Sequence, residues 1–127
     1  MDRIRLEANQ ALKNKEKLAQ FMTPSIIADY MADLFNGCEI GKSLLDCGAG
    51  VGSLVIATLN KKPNFEQIDC WEIDPIMVNY LNSTIKGLNV TVHNADFLQD
   101  AVELIKKNHR YDYIITNPPY KKIASTS

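Results

Sequence analysis

The sequence predicts an α/β domain with a mainly parallel sheet and flanking helices, and three of its features carry that prediction. Short apolar runs alternate with helical patterns from Ser43 onward. A glycine turn, Gly48-Ala49-Gly50-Val51-Gly52, joins the first run to the helix after it, and Asp74-Pro75 opens the next helix. Strand, helix, strand at this spacing implies right-handed crossovers, which set successive strands parallel and lay the helices on the sheet.

The elements follow in order. Residues 1–22 form a lead-in whose helical stretch runs from about Arg5 to Leu18, with Leu6, Ala11, Leu12 and Leu18 apolar among Lys, Glu, Gln and Asn. Thr23-Pro24 reads as an N-cap followed by proline at the first helical position. Ile26, Ile27, Tyr30, Met31, Leu34 and Phe35 then repeat at helical spacing, and the helix should stop near Asn36-Gly37. Ser43 to Cys47 is a short buried strand; the helix after the glycine turn reaches about Asn60, where Pro63 bars its continuation. Ile68 to Ile73 makes a second strand, and Asp74-Pro75 caps a helix containing Met77, Val78, Leu81 and Ile85. Asn89 to His93 is a third strand, Leu98 to Lys107 a helix, and Tyr111 to Thr116 a fourth strand ending in Asn117-Pro118-Pro119-Tyr120. The domain therefore spans residues 23–120, and the polar tail 121–127 is loose.

Bulk composition narrows the function classes. The 14 basic and 15 acidic side chains nearly cancel, so the chain lacks the strongly basic surface of a self-sufficient duplex-binding module. Three cysteines, Cys38, Cys47 and Cys70, form an odd set without a CxxC pair, which argues against a disulfide framework and against a metal site. The charged N-terminus is a poor secretory signal, and no apolar run approaches the roughly 20 residues that span a bilayer. A reducing, cytoplasmic setting without a membrane partner is expected.

In parallel sheets, ligands bind beyond the carboxyl ends of the strands, where every suggestive segment of this chain falls. The stretch Leu45-Asp46-Cys47-Gly48-Ala49-Gly50-Val51-Gly52-Ser53 lets backbone approach a ligand closely and ends at the N–H donors of a helix start. Glu72, 24 residues after Gly48, ends the second strand, where a carboxylate can accept from ribose hydroxyls. Asp74 beside it serves as a helix cap. Asn94-Ala95-Asp96-Phe97 offers a carboxylate next to an aromatic face, the two groups an adenine ring needs, although Asp96 taken alone is a helix cap. The spacing G-x-G-x-G departs from the G-x-G-x-x-G of dinucleotide enzymes and points away from NAD.

Asn117-Pro118-Pro119-Tyr120 suits chemistry on a planar nitrogen. The lone pair of an exocyclic amine is delocalised into its ring, so two fixed acceptors for its N–H groups are needed to turn that lone pair outward. The Asn117 side-chain oxygen and the Pro118 carbonyl can be those acceptors, on a loop that Pro118 and Pro119 stiffen. The Tyr120 ring can stack on a base drawn out of its duplex. As plain structure, the same residues would be a turn that ends a strand. His93 and His109 need no role.

Together these motifs resemble the class I S-adenosylmethionine-dependent methyltransferases, a Rossmann-like fold. Gln20-Phe21-Met22-Thr23-Pro24 matches the F-x-T-P element that precedes the glycine motif in gamma-class adenine-N6 DNA methyltransferases of restriction-modification systems. The resemblance, over Phe21 to Tyr120, implies S-adenosylmethionine as cofactor. It implies contacts at Phe21, Thr23, Pro24, Asp46, Cys47, Gly48, Ala49, Gly50, Glu72, Ile73, Asp96 and Phe97, with the first three flanking the methionine portion. Asn117, Pro118, Pro119 and Tyr120 would form the catalytic loop acting on an adenine flipped from double-stranded DNA. A protein glutamine or RNA N-methyltransferase, or a non-catalytic cofactor-binding domain, stands as the alternative. Complete members of the family continue with further strands and a target-recognition region, so the chain is expected to be an N-terminal catalytic portion. Its fourth strand would then have an open edge prone to self-association.

Overall fold

A computed structural model describes Arg3, Arg5, Leu6, Asn9 and residues 22–85 and 89–117. The elements are α1 (Ser25–Asp33), β1 (Ser43–Asp46), α2 (Ser53–Lys61), β2 (Gln67–Trp71), α3 (Pro75–Thr84), β3 (Val90–His93), α4 (Phe97–Lys106) and β4 (Tyr113–Ile114). The four strands pair in the order β3-β2-β1-β4, and every pairing is parallel. The chain leaves β1 toward one edge through β2 and β3, then returns to the other side of β1 as β4. Strand order thus reverses between β1 and β4, and in open α/β sheets the crevice that takes a ligand lies at the carboxyl ends of such a pair.

Strand register sorts the side chains between the two faces. Leu44 pairs with Ile68 and Asp46 with Cys70, so these four share a face, while Leu45 and Asp69 lie on the other. The first face carries the core: Leu44, Ile68 and Cys70 are fully buried with Ala28 and Ala32 of α1, Leu54 and Val55 of α2, and Leu81 of α3. Each large aliphatic side chain so buried contributes about 1.5–3 kcal/mol. Ala28 and Ala32 lie one turn apart, and their small side chains let α1 settle closely against α2. The second face is covered less fully. No residue of α4 is buried, and Leu98, Val102 and Ile105 are exposed. This helix is tied down at Trp71, whose Nε1 donates to Asp100 Oδ2 at 2.8 Å and whose ring meets Phe97 edge-on at 5.1 Å.

Two local expectations need correction. The first concerns Thr23, which does not cap α1. Pro24 occupies the N-cap position with ψ 138°, no side chain caps the helix, and the Pro24 carbonyl accepts from Ile27 and Ala28 N–H at 3.0 Å each. Proline has therefore moved one position outward, and the Thr23 hydroxyl is left to another partner. The helix itself ends at Asp33, and turns carry the chain onward through Asn36 and Gly37, whose φ values of 49° and 77° bar helical continuation. The second correction is to β4, which is two residues long rather than six. Asp112 N–H donates to the Ser43 carbonyl at 3.2 Å and Ile115 N–H to the Leu45 carbonyl at 3.0 Å, so pairing to β1 extends one residue either way. Nor is the strand uniformly open: Ile115 is buried and Tyr113 packs edge-on against Phe35 at 5.5 Å, while Ile114 is 62% exposed on the less covered face.

The cap expected at Asp74 is present, with Oδ1 accepting from Ile76 N–H at 2.9 Å and Pro75 opening α3. Of the expected lead-in helix, Arg5, Leu6 and Asn9 have helical backbone. Phe21, Pro118, Pro119, Tyr120 and the tail 121–127 lie outside the described residues. No helix among the described residues is long and apolar enough to cross a membrane.

Candidate active site at the carboxyl edge of the sheet

The glycine turn leaves β1 in a conformation that the sequence specifies locally. Gly50 and Gly52 take φ values of 58° and 90°, which side-chain-bearing residues rarely adopt. Gly52 is required twice over, because a Cβ there would meet Leu81 Cδ1 at 2.2 Å. The absent side chain thus lets α3 close on the start of α2. Ala49 is buried, and its N–H donates to the Trp71 carbonyl at 2.9 Å, fastening the turn to the end of β2.

Glu72 follows β2 directly and has a structural task that its position alone did not disclose. Its Oε1 accepts from Gly50 N–H at 2.8 Å and its Oε2 from Asp74 N–H at 2.9 Å. The carboxylate bridges the glycine turn to the cap of α3. Each oxygen has a second lone pair, so acceptance from ribose hydroxyls remains chemically open. Asn94 completes this rim: its Nδ2 donates to the carbonyls of Glu72 at 2.9 Å and of the exposed Ile73 at 3.1 Å. The four-residue motif around Asp96 contains Asn94, and the motif was the signal that could have found it.

Asp96 caps α4, its Oδ1 accepting from Leu98 N–H at 3.0 Å. The half-buried Phe97 beside it rests on Trp71, which also stacks on His93 with ring centroids 4.0 Å apart. His93 therefore acts as a packing partner of the rim.

Asp46 sits at the end of β1 with 0% exposure. Oδ1 accepts from Gly48 N–H at 3.3 Å, whereas Oδ2 has no hydrogen-bond partner among the described residues. Burial pushes its carboxyl pKa up to about 7; the Gly48 N–H and the nearby Thr116 hydroxyl oppose the rise, and the charge of Glu72 adds to it. An orphaned buried carboxylate oxygen is costly, and a cationic or N–H-bearing ligand at this point would relieve that cost. The adjacent Cys47 approaches Thr116, Sγ to Oγ1 3.8 Å. Thr116 is a neighbour of the site that sequence patterning did not single out.

One residue beyond Thr116, Asn117 reaches across to the segment preceding α1. Its Nδ2 donates to Thr23 Oγ1 at 3.0 Å, and Thr23 is only 8% exposed. A cleft of about 640 Å³ borders Thr23, Pro24, Val51 and Ser53, on the α1 and α2 side of the turn. Neither Glu72 nor Asp96 lines it. The strand ends, rather than that cleft, gather the residues expected to hold a nucleoside.

A family model for the methyltransferase small domain matches residues 28–127. The chain belongs to the methyltransferase small domain family. The donor expected from the motifs, S-adenosylmethionine, is thus the donor of its own family. Among curated relatives, the type II methyltransferase M.BsuBI of Bacillus subtilis is 36% identical over 146 residues, an alignment that takes in the whole chain but 29% of the relative. Type II methyltransferase M.PstI of Providencia stuartii is 36% identical and likewise covered over 29% of its length. The chain thus spans less than a third of the curated relatives it matches. Among solved structures, the methyltransferase subunit of a type I restriction-modification system from Streptococcus thermophilus superposes with a TM-score of 0.63 at 26% identity, covering 77% of this chain and 23% of that one. Human methyltransferase-like protein 13, solved in complex with SAH, gives 0.59 at 27% identity, covering 76% and 47%.

The methyltransferase fold therefore brings Asp46, Cys47, the glycine turn, Glu72, Ile73, Asp96, Phe97 and Asn117 to one edge of one sheet, with Thr23 joined to Asn117.

Proposed function

We propose that the whole protein transfers a methyl group from S-adenosylmethionine to the exocyclic N6 amine of an adenine flipped out of double-stranded DNA. The observation that carries this reading is the position of Asn117, three residues beyond β4, on the far side of β1 from Glu72 and hydrogen-bonded to the Thr23 of the F-x-T-P segment. The likeness to type II methyltransferases and to the methyltransferase subunit of a type I restriction-modification system supports this reading of the acceptor.

In this reading the chain's residues divide the work along the crevice. Glu72 and the turn from Gly48 to Gly50 take the ribose and the backbone contacts, Asp96 and Phe97 take the adenine end, and Asp46 faces the methionyl ammonium. The cofactor supplies an electrophilic methyl. Asn117 Oδ1 and the Pro118 carbonyl each accept one N–H of the target amine, which frees its lone pair to take the methyl; one amine proton then passes to water. Because the Asn117 amide is already hydrogen-bonded to Thr23, little reorganisation accompanies the developing charge at its oxygen. Tyr120 stacks on the extruded base.

The test has two arms. Titration calorimetry of this chain with S-adenosylmethionine should show binding that Glu72→Ala weakens by tenfold or more. With the whole protein, labelled methyl should pass to duplex DNA and be recovered as N6-methyladenine, not to RNA or protein supplied in parallel. Asn117→Ala should then cut transfer by about 10²–10³-fold, the cost of losing one preorganised polar group, without changing cofactor affinity. Label appearing in RNA or on a protein amide would overturn the acceptor assignment while leaving the cofactor arm standing.

A further inference from the structure

We infer that Thr23 is a positioning residue for the transfer step, holding the Asn117 amide in the orientation that presents its oxygen, rather than its NH2 group, to the acceptor amine. The inference rests on the reading of Asn117 given above and adds a residue to it. Read as local sequence, Thr23 is a helix cap; read by family resemblance, it is a neighbour of the cofactor. The structure assigns its hydroxyl a different partner. The side chain does not cap α1, and Oγ1 lies 3.0 Å from Asn117 Nδ2 across 94 residues of sequence.

The chemistry of an asparagine makes this contact decisive. Its amide has an acceptor end and a donor end of nearly the same shape, so packing alone does not choose between two orientations half a turn apart. An amine to be methylated brings N–H donors. Facing Asn117 Oδ1 it gains a hydrogen bond; facing Nδ2 it meets donor against donor. A threonine hydroxyl can donate as well as accept; in the structure the nearly buried Thr23 hydroxyl accepts from Nδ2, which leaves Oδ1 without a partner among the described residues at an exposed position. Placing Thr23 immediately before α1 couples that choice to the core, because Ala28 and Ala32 of the same helix are anchored against the sheet.

Thr23→Val replaces the hydroxyl by a methyl of similar size, and Thr23→Ser keeps the hydroxyl. The first readout needs no activity. In amide spectra of this chain, with the Asn117 side-chain NH2 identified by its loss in Asn117→Asp, those protons should exchange with water at least several-fold more slowly than the NH2 of an exposed asparagine. Thr23→Val should abolish that protection and Thr23→Ser should retain it. Unprotected Asn117 protons in the parent chain would overturn the inference, even if Thr23→Val failed to fold. The second readout is transfer by the whole protein. Thr23→Val should lower kcat by about tenfold, corresponding to one lost charge-orienting hydrogen bond, with KM for S-adenosylmethionine unchanged, and Thr23→Ser should restore most of it. A raised KM for the cofactor at unchanged kcat would show that Thr23 serves the cofactor alone and sink the idea. So would a Ser variant as impaired as the Val variant. If adenine in DNA is not the acceptor but Asn117 protection and the kcat pattern persist on another amine, the positioning role survives and the acceptor assignment fails.

Discussion

The two sides of the crevice are built on different principles. On the β2 side the glycine turn is wired from several directions: Ala49 to the Trp71 carbonyl, Gly50 to Glu72, Glu72 onward to Asp74, and Gly52 pressed against Leu81. On the β4 side Asn117, three residues beyond the two-residue strand, has one side-chain hydrogen bond among the described residues, to Thr23. The first side is a cradle held together by the protein's own hydrogen bonds and packing. The second rests, among the described residues, on the single contact from which we infer the orientation of the Asn117 amide. If the proposed function holds, binding and chemistry are separable, and substitutions on the two sides should fail in different ways.

The largest expected effect is on the wired side. Gly52→Ala must adopt a left-handed backbone and also drive its Cβ into Leu81, so we expect a loss of about 2–4 kcal/mol of stability in urea unfolding. Gly37 supplies the internal control. Its φ of 77° is comparable but nothing lies within 4 Å of a Cβ there, so Gly37→Ala should cost only about 1 kcal/mol. Equal losses at the two positions would mean that the close approach of α3 to the turn contributes nothing.

Next in size is the Glu72 bridge. Glu72→Gln keeps one acceptor but sets an NH2 group against the N–H of Gly50 or of Asp74, so one of two bonds becomes a donor clash. The expected result is a loss of about 1–3 kcal/mol in unfolding, together with cofactor affinity reduced by tenfold or more in calorimetry. Normal stability with weakened binding would separate ribose contact from bridging; normal binding with lowered stability would leave only the bridge.

What was legible beforehand follows the same division. Signals whose partners lie within a few residues were read directly: the Asp74-Pro75 cap, the glycine turn between β1 and α2, and the alternation that yields the parallel sheet. Thr23-Pro24 has the same local appearance as a cap, yet its hydroxyl is claimed from 94 residues away. At a strand end Glu72 reads as an acceptor for ribose hydroxyls and not as a bridge, because Gly50 is 22 residues distant and only the folded sheet brings them together. The fourth strand was overestimated because apolar alternation from Tyr111 to Thr116 specifies which residues are buried but not how many find a ladder partner, and at this edge β1 is the sole neighbour among the described strands. Local chemistry announced the site; its internal wiring depends on contacts that sequence spacing does not encode.

The smallest change in affinity expected, and the one that probes the boundary between the two sides, concerns Asp46. Its folded-state pKa, raised by burial from 3.8 to about 7, means that between those values the folded chain holds a proton that the unfolded chain has released. Stability from this group is therefore fully present below pH 4 and is lost as pH rises toward 7, beyond which the contribution is flat. In the cofactor-free chain, Asp46→Asn should remove that slope between pH 4 and 7 and leave the rest of the stability profile in place. Cofactor binding should respond with the opposite sign. If the ionised Asp46 faces the methionyl ammonium, the share of chains ready to bind grows as pH rises from 6 to 7.5, and affinity should strengthen several-fold, at most about tenfold for a group with this pKa. The Asn variant should bind with no such slope. A parent affinity that is flat across this interval would place the ammonium elsewhere and leave Asp46 a neutral, hydrogen-bonding member of the β1 end. That outcome would shift the ligand-binding duty further onto the Glu72 side and sharpen the contrast between the two.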